Sequence, residues 1–241
     1  MSDALMGFGS WLIHQPWFWL VATIGLYQLM NAGFQKLGQP ALLNPVALSA
    51  TVLITLLWFL EIPYELYFNG AQVIDLFLGP ATVALAIPLY QQLNKLKGLG
   101  VAIATTLLLG LSVSALCTLA IGWLTGAGHP LLLSILPLSI TTPVAMGIAE
   151  HIGGIPPLTA FIVITTGILG AVIGPGYLYR LGYRDDRVIG IAMGISAHGI
   201  GTARSFGISV TAGSFSALAM ALSAIISSVL LPIIAQLVTL F

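Results

Sequence analysis

The amino-acid sequence predicts an all-α integral membrane protein with about seven transmembrane helices plus re-entrant or broken helices, two of its stretches being candidate inverted repeats. Three observations carry that class. Of 241 residues, 58% are hydrophobic and 6% charged, against about 25% charged in an ordinary soluble domain, so a soluble globule is excluded. Apolar runs near the roughly 20 residues that cross a bilayer recur throughout, enough for about six to eight spans and no sizeable aqueous domain. Three of these runs are broken by proline or glycine. One polytopic domain over residues 1–241 is expected, with an N-terminal helix and loop to residue 41 and the main body over 42–241.

In chain order, the opening MSDALMGFGSWLIHQPWFWL has no Lys or Arg before its apolar stretch and no small-residue cleavage site, and it reads as an uncleaved first span. With no Arg-rich, Ser-rich transit sequence, a bacterial plasma (inner) membrane is the expected location. The apolar segments cover residues 17–34, 45–60, 73–89, 99–124, 131–149, 158–179, 188–203 and 215–241. The run at 99–124 fits a plain helix. The three interrupted runs carry LGPATVALAIP at 73–89, LPLSITTPVAMG at 131–149 and GIAMGISAHGIGTA at 188–203. Proline removes a backbone donor, and in hydrocarbon every orphaned peptide group costs several kcal/mol unless protein or water satisfies it, so broken helices belong in a protein-lined interior.

Charge adds a topological constraint. Lys36, then Lys95 and Lys97, then Arg180, Arg184 and Arg187 mark three connections, and short Lys/Arg-rich loops stay cytoplasmic. If every segment crossed once, the Arg loop would face away from the first two. The conflict vanishes if the 131–149 stretch enters and leaves on one face, and a re-entrant hairpin is expected there. An internal repeat points the same way: Thr105, Thr106 and Gly110 lie sixty positions before Thr165, Thr166 and Gly170, and the string from Pro80 resembles that from Pro143. With the re-entrant topology the two Thr-bearing helices run in opposite directions, as in the inverted repeats of secondary transporters.

Ionisable groups inside membrane segments are costly and mark function. The densest polar string runs from Ser196 to Ser205 and holds His198, Thr202 and Arg204 among glycines. A guanidinium stays charged on burial and can grip a carboxylate with two parallel hydrogen bonds; His198 can add a hydrogen bond or carry a coupled proton. The second string places Ser139, Thr141 and Thr142 just before Pro143, where a helix can begin with hydroxyls capping its free amides. A half-helix N-terminus near the midplane offers an anion partial positive charge and unpaired donors. Glu150 follows two turns later: buried, it would take up a proton; exposed at a helix end beside His151, it would do nothing special. Asn44, before Pro45, is either a plain cap or a ligand group. Pro80 and Thr82 in the first interrupted run complete the candidate binding set, facing the Thr141–Glu150 and His198–Arg204 strings.

Other classes are excluded. Seven Lys plus Arg balance seven Asp plus Glu, without the basic clusters that hold nucleic acid. The single cysteine, Cys117, supports neither a disulfide nor a thiolate metal site, and no metal or cofactor is expected. GxSxG, HExxH, the phosphate loop and GxGxxG are all absent, so no enzyme is expected. Glu61, Glu65 and Asp75 read as a solvated acidic loop.

The strings LLNPVALSA, LGPATVALAIPLYQQL, SITTPVAMGIAEHIGGIPPLTAFIVITTGILGAVIGP, GIAMGISAHGIGTAR and SFSALAM resemble the LrgB/CidB/YohK family of bacterial membrane proteins, which is related to the plastidic glycolate/glycerate transporter. The likeness covers nearly the whole chain after about Leu42. It implies two activities: carriage of small monocarboxylates such as glycolate, glycerate or pyruvate, or holin- or antiholin-like control of murein hydrolase activity and lysis with a small LrgA/CidA-type membrane partner, with a homo-oligomer expected. Where many members carry a lysine after the proline of the string before ITTP, this chain has Leu138. That moves the weight of anion attraction onto Arg204 and the helix ends. The expected function is therefore carriage of a small monocarboxylate, coupled to protons through Glu150 or His198. In the rival reading the polar strings are packing surfaces, and the Gly190 to Gly194 spacing is a helix interface.

Overall fold

Prolines and polar caps set most helix starts. The computed structural model describes residues 11–38, 40, 43–77, 80, 83–84, 87, 90 and 98–238, which fall into two units, Met1–Pro80 and Ala81–Phe241. Every described regular element is helical.

In the first unit α1 (Pro16–Lys36) begins on a proline, whose missing N–H is no loss at a helix start. Asn44 caps α2 (Pro45–Phe59), its Oδ1 accepting from the Val46 N–H at 2.9 Å and the Ala47 N–H at 3.2 Å. The expected acidic loop is corrected: between Glu61 and Asp75 lies α3 (Tyr64–Ala71), with Glu65 in its first turn, followed by the single turn α4 (Val73–Leu76). Aromatic packing is the reason. The Tyr67 ring meets that of buried Trp19 edge-on at 5.6 Å, and the Thr23 hydroxyl lies 3.4 Å from the Tyr67 oxygen. Most of the expected broken segment at 73–89, Thr82 included, lies outside the described residues. Pro80 is described and is exposed.

Among its described residues the second unit has three helices long and apolar enough to cross a membrane: α5 (Gly100–Leu124), α8 (Pro156–Arg180) and α10 (Val210–Val238). Between α5 and α8 lie two short helices, α6 (His129–Ile135) and α7 (Thr142–Ile152), joined by the non-helical residues 136–141. Pro137 and Pro143 account for the interruption, since neither can donate to the preceding turn. At about 1.5 Å per residue neither short helix reaches across 30 Å of hydrocarbon.

Cross-contacts fix how these pieces run. Gly122 of α5 packs on Leu132 of α6, while the Ser114 and Ser139 hydroxyls meet at 2.6 Å, so α6 and its turn run back along α5. Thr159 donates to the Ser134 carbonyl at 2.9 Å, and the Thr166 hydroxyl lies 3.3 Å from that of Leu138. The Ile155 N–H donates to Ser134 Oγ at 2.8 Å, which returns the end of α7 to the flank of α6. The pair α6–α7 is thus a hairpin with both ends near the start of α8 and its tip halfway along α5 and α8.

The last interrupted stretch folds as α9 (Asp186–Phe206), which contains one residue with non-helical dihedrals, His198 at φ 38° and ψ −125°. The chain turns back there. A Cβ on Gly201 would sit 2.6 Å from the Met193 carbonyl oxygen and 2.6 Å from the Ala197 Cβ, whereas in a continuous helix Met193 would be about 12 Å away along the axis. Gly190 packs on the Ala212 carbonyl and Gly194 on that of Ser216, Thr202 meets Ser216 at 2.9 Å, and Phe206 lies on Gly213. Residues 186–197 therefore run with α10 and 199–206 run against it. Ser209 donates to Asp186 Oδ2 at 2.7 Å, closing the ends of this second hairpin on each other.

Candidate functional site

Both hairpin tips arrive on one turn of α8. Thr166 reaches the Leu138 carbonyl of the first tip. Gly167, the next residue, receives the imidazole of the second: a Cβ there would stand 2.5 Å from His198 Cε1. Gly174 lies against Met193 and Gly170 against Ala197, so the second hairpin descends α8 from its C-terminal end, opposite to the first.

Among the described residues of this unit, four buried side-chain atoms have no hydrogen-bond partner: Thr141 Oγ1, His198 Nε2, Ser223 Oγ and Ser227 Oγ. The imidazole is engaged by the Val163 main chain, and Nε2 is left over. Thr141 is the residue before α7, yet its hydroxyl makes no cap bond, so the expected capping role is not taken up. Ser223 follows Met220, which touches Gly199 just beyond the second tip, by about one turn, and Ser227 by two. A buried polar group without a partner costs about 1–3 kcal/mol, and two of the four, Thr141 Oγ1 and His198 Nε2, belong to the hairpin tips.

The other expected site residues are placed as follows. Ser139 is buried and bonded to Ser114, Thr142 is half-buried in the first turn of α7, and Thr202 is buried against Ser216 and Met220. Arg204 is exposed on the return limb, six residues past His198, and Glu150 is exposed on α7, the second of its two readings. Asn44 serves as the cap of α2. Gly190 and Gly194 pack within the chain on α10, at a helix interface. Ser223 and Ser227 escaped the sequence reading. Their i, i+4 spacing, which puts both on one face of α10, was the signal that could have found them.

The fold and this interior define an all-helical membrane protein whose helices are broken where polar groups collect. A family model described as the LrgB-like family matches residues 23–237, and the chain belongs to that family. It is 38% identical over 184 residues to the uncharacterised protein YwbG of Bacillus subtilis (76% of this chain, 82% of the relative). It is 31% identical over 215 residues to the holin-like protein CidB of Staphylococcus epidermidis, and 30% over 216 residues to that of Staphylococcus aureus, covering 89% of this chain and 93% of the relative each time. No solved structure matches it.

Proposed function

We propose that the chain acts in the membrane as a holin-like protein, controlling murein hydrolase activity and lysis with a small LrgA/CidA-type partner. The observation that carries this is its near full-length likeness to relatives named holin-like protein CidB. The test is co-expression with such a partner, with lysis and murein hydrolase activity as readouts. A change in both that requires the two proteins together is expected; the same lysis with the partner alone would overturn the reading.

A second reading, carriage of a small monocarboxylate such as glycolate, glycerate or pyruvate, is favoured by two unpartnered buried atoms at the hairpin tips, Thr141 Oγ1 and His198 Nε2. In it, α5, α8 and α10 span the bilayer while the two hairpins re-enter it from opposite faces. Irregular backbone at that depth is tolerated where protein buries it or a cavity lies beside it. A sixty-residue shift superimposes Thr106 on Thr166 and Leu138 on His198, as inverted repeats require. Leu99 and Ala102 share a small cleft with Asp185 and Val188, so the start of α5 and the Arg loop lie at one end, the cytoplasmic one by the positive-inside rule. His198, or Glu150 from the outer side of α7, would take the coupled proton. Uptake of labelled glycolate or pyruvate into proteoliposomes above the protein-free background is expected; background flux for both would end this reading.

A further inference from the structure

Resting on the carriage reading, we infer that the ligand sits between two opposed helix N-termini, that of α7 and that of the limb 199–206. Its carboxylate takes hydrogen bonds from their free amides and the Thr141 hydroxyl, and a neighbouring hydroxyl of the ligand donates to His198 Nε2. The two N-termini face each other because each begins at a hairpin tip and runs away from it, α7 toward the start of α8 and the other limb toward its end. The first N–H groups of a helix have no partner within it, and each N-terminus carries about half a positive charge. Together they offer about one unit, which fits a monoanion and leaves a dianion half uncompensated. Helix ends alone make no site; two unpartnered side chains at these ends supply the second observation. Thr141 and His198 are 7% and 2% exposed, and the Thr141 hydroxyl and His198 Nε2 have no partner.

The tautomer assigns the imidazole its part. With its other nitrogen engaged by the Val163 main chain, a neutral His198 presents Nε2 as an acceptor. A carboxylate cannot serve it; an O–H on the adjacent carbon can. Arg204 stands outside this arrangement, since six residues place it about 9 Å along the limb from the tip, where its side chain is exposed.

The test is equilibrium binding of radiolabelled glycolate to the purified full chain in detergent, run beside uptake into proteoliposomes. For the wild type, acetate, which lacks the hydroxyl and so one hydrogen bond to a buried group, and hydroxymalonate, whose second carboxylate the two helix ends leave uncompensated, should each compete about tenfold or more weakly than glycolate. Thr141→Val should weaken glycolate by about tenfold, with Thr141→Ser restoring it. His198→Asn, which tolerates positive φ, should abolish the preference of glycolate over acetate. Melting temperatures within a few degrees of wild type certify the variants, and the Thr141 pair decides alone if His198→Asn does not fold. Glycolate affinity within twofold of wild type in Thr141→Val, or its loss in Arg204→Gln with both tip variants unaffected, would overturn the site while leaving carriage intact. Binding without uptake would instead end carriage and leave the site standing, and absence of both ends the two together.

Discussion

Gly201 lies against Met193 although eight residues separate them in the chain: a Cβ at Gly201 would stand 2.6 Å from the Met193 carbonyl oxygen. That contact is the reversal at His198 seen from its inside, and it sets a steric demand on one position. Gly201→Ala has to push the two limbs apart, at a cost of about 1–3 kcal/mol by the usual scale of overpacking. Gly147 in α7 meets nothing within 4 Å, so Gly147→Ala should be neutral or add about 0.5–1 kcal/mol. Thermal unfolding of the two variants in one detergent checks the pair, and equal melting temperatures would contradict the fold-back.

Ser134 ties the first hairpin to the start of α8. Its hydroxyl donates to the Pro130 carbonyl at 2.6 Å and accepts from the Ile155 N–H at 2.8 Å, while its own carbonyl accepts from Thr159 at 2.9 Å. Ser134→Ala strands the Ile155 N–H and should cost about 1–3 kcal/mol, more than the roughly 1 kcal/mol expected for Ser139→Ala, which loses one hydroxyl pair. Because Thr159 shares the junction, Ser134→Ala with Thr159→Val should be non-additive by about 0.5 kcal/mol or more in a double-mutant cycle. Strict additivity would mean that the bonds act independently.

The breaks were legible because their causes are local. Pro137 and Pro143 bracket a Ser/Thr string, and the reading that a helix begins just before Pro143 matches the start of α7 at Thr142. The fold-back at His198 was legible only as an interruption: a lone non-glycine residue at φ 38° leaves no local signature. The sixty-residue repeat carried the missing information, since it lays His198 on Leu138 at the first tip. Arg204 shows a different limit. An arginine among glycines reads as a buried ligand group, but which end of a re-entrant limb it occupies is decided by where the chain turns. Helix α3 was missed because cross-helix aromatic packing, Tyr67 on Trp19, has no periodicity to read in eight residues.

Asp185 and Arg187 make the next prediction. Arg187 Nη2 donates to Asp185 Oδ2 at 2.7 Å, and the Arg187 N–H and Nε donate to Oδ1 at 2.9 and 3.1 Å. These bonds to the charged form pull the Asp185 carboxyl from 3.8 down to about 2. With the folded value depressed, the cap is fully stabilising above about pH 4 and is lost as pH falls toward 2. Carbon NMR of labelled aspartate should show a midpoint about two units below normal, and Arg187→Gln should return it toward 3.8. An unchanged midpoint in that variant would remove the guanidinium as the cause.

With α5 and α8 as membrane spans, the arrangement of hairpins predicts which side of the membrane each loop meets. Residues 136–141 turn the chain back, so His129 and His151, at the two ends of the first hairpin, are expected on one face. The Arg loop is expected on the other, together with the start of α5, which shares a cleft with it. In a Cys117→Ala background, needed because Cys117 is exposed, an impermeant maleimide should label His129→Cys and His151→Cys from the same side. Arg184→Cys should react only from the opposite side. A lysine-rich and an arginine-rich connection on a common face satisfies the positive-inside rule, which a chain crossing at every apolar segment violates here. Opposite labelling of His129→Cys and His151→Cys would convert the hairpin into a span, reverse α8 and separate the two tips that now share Thr166 and Gly167.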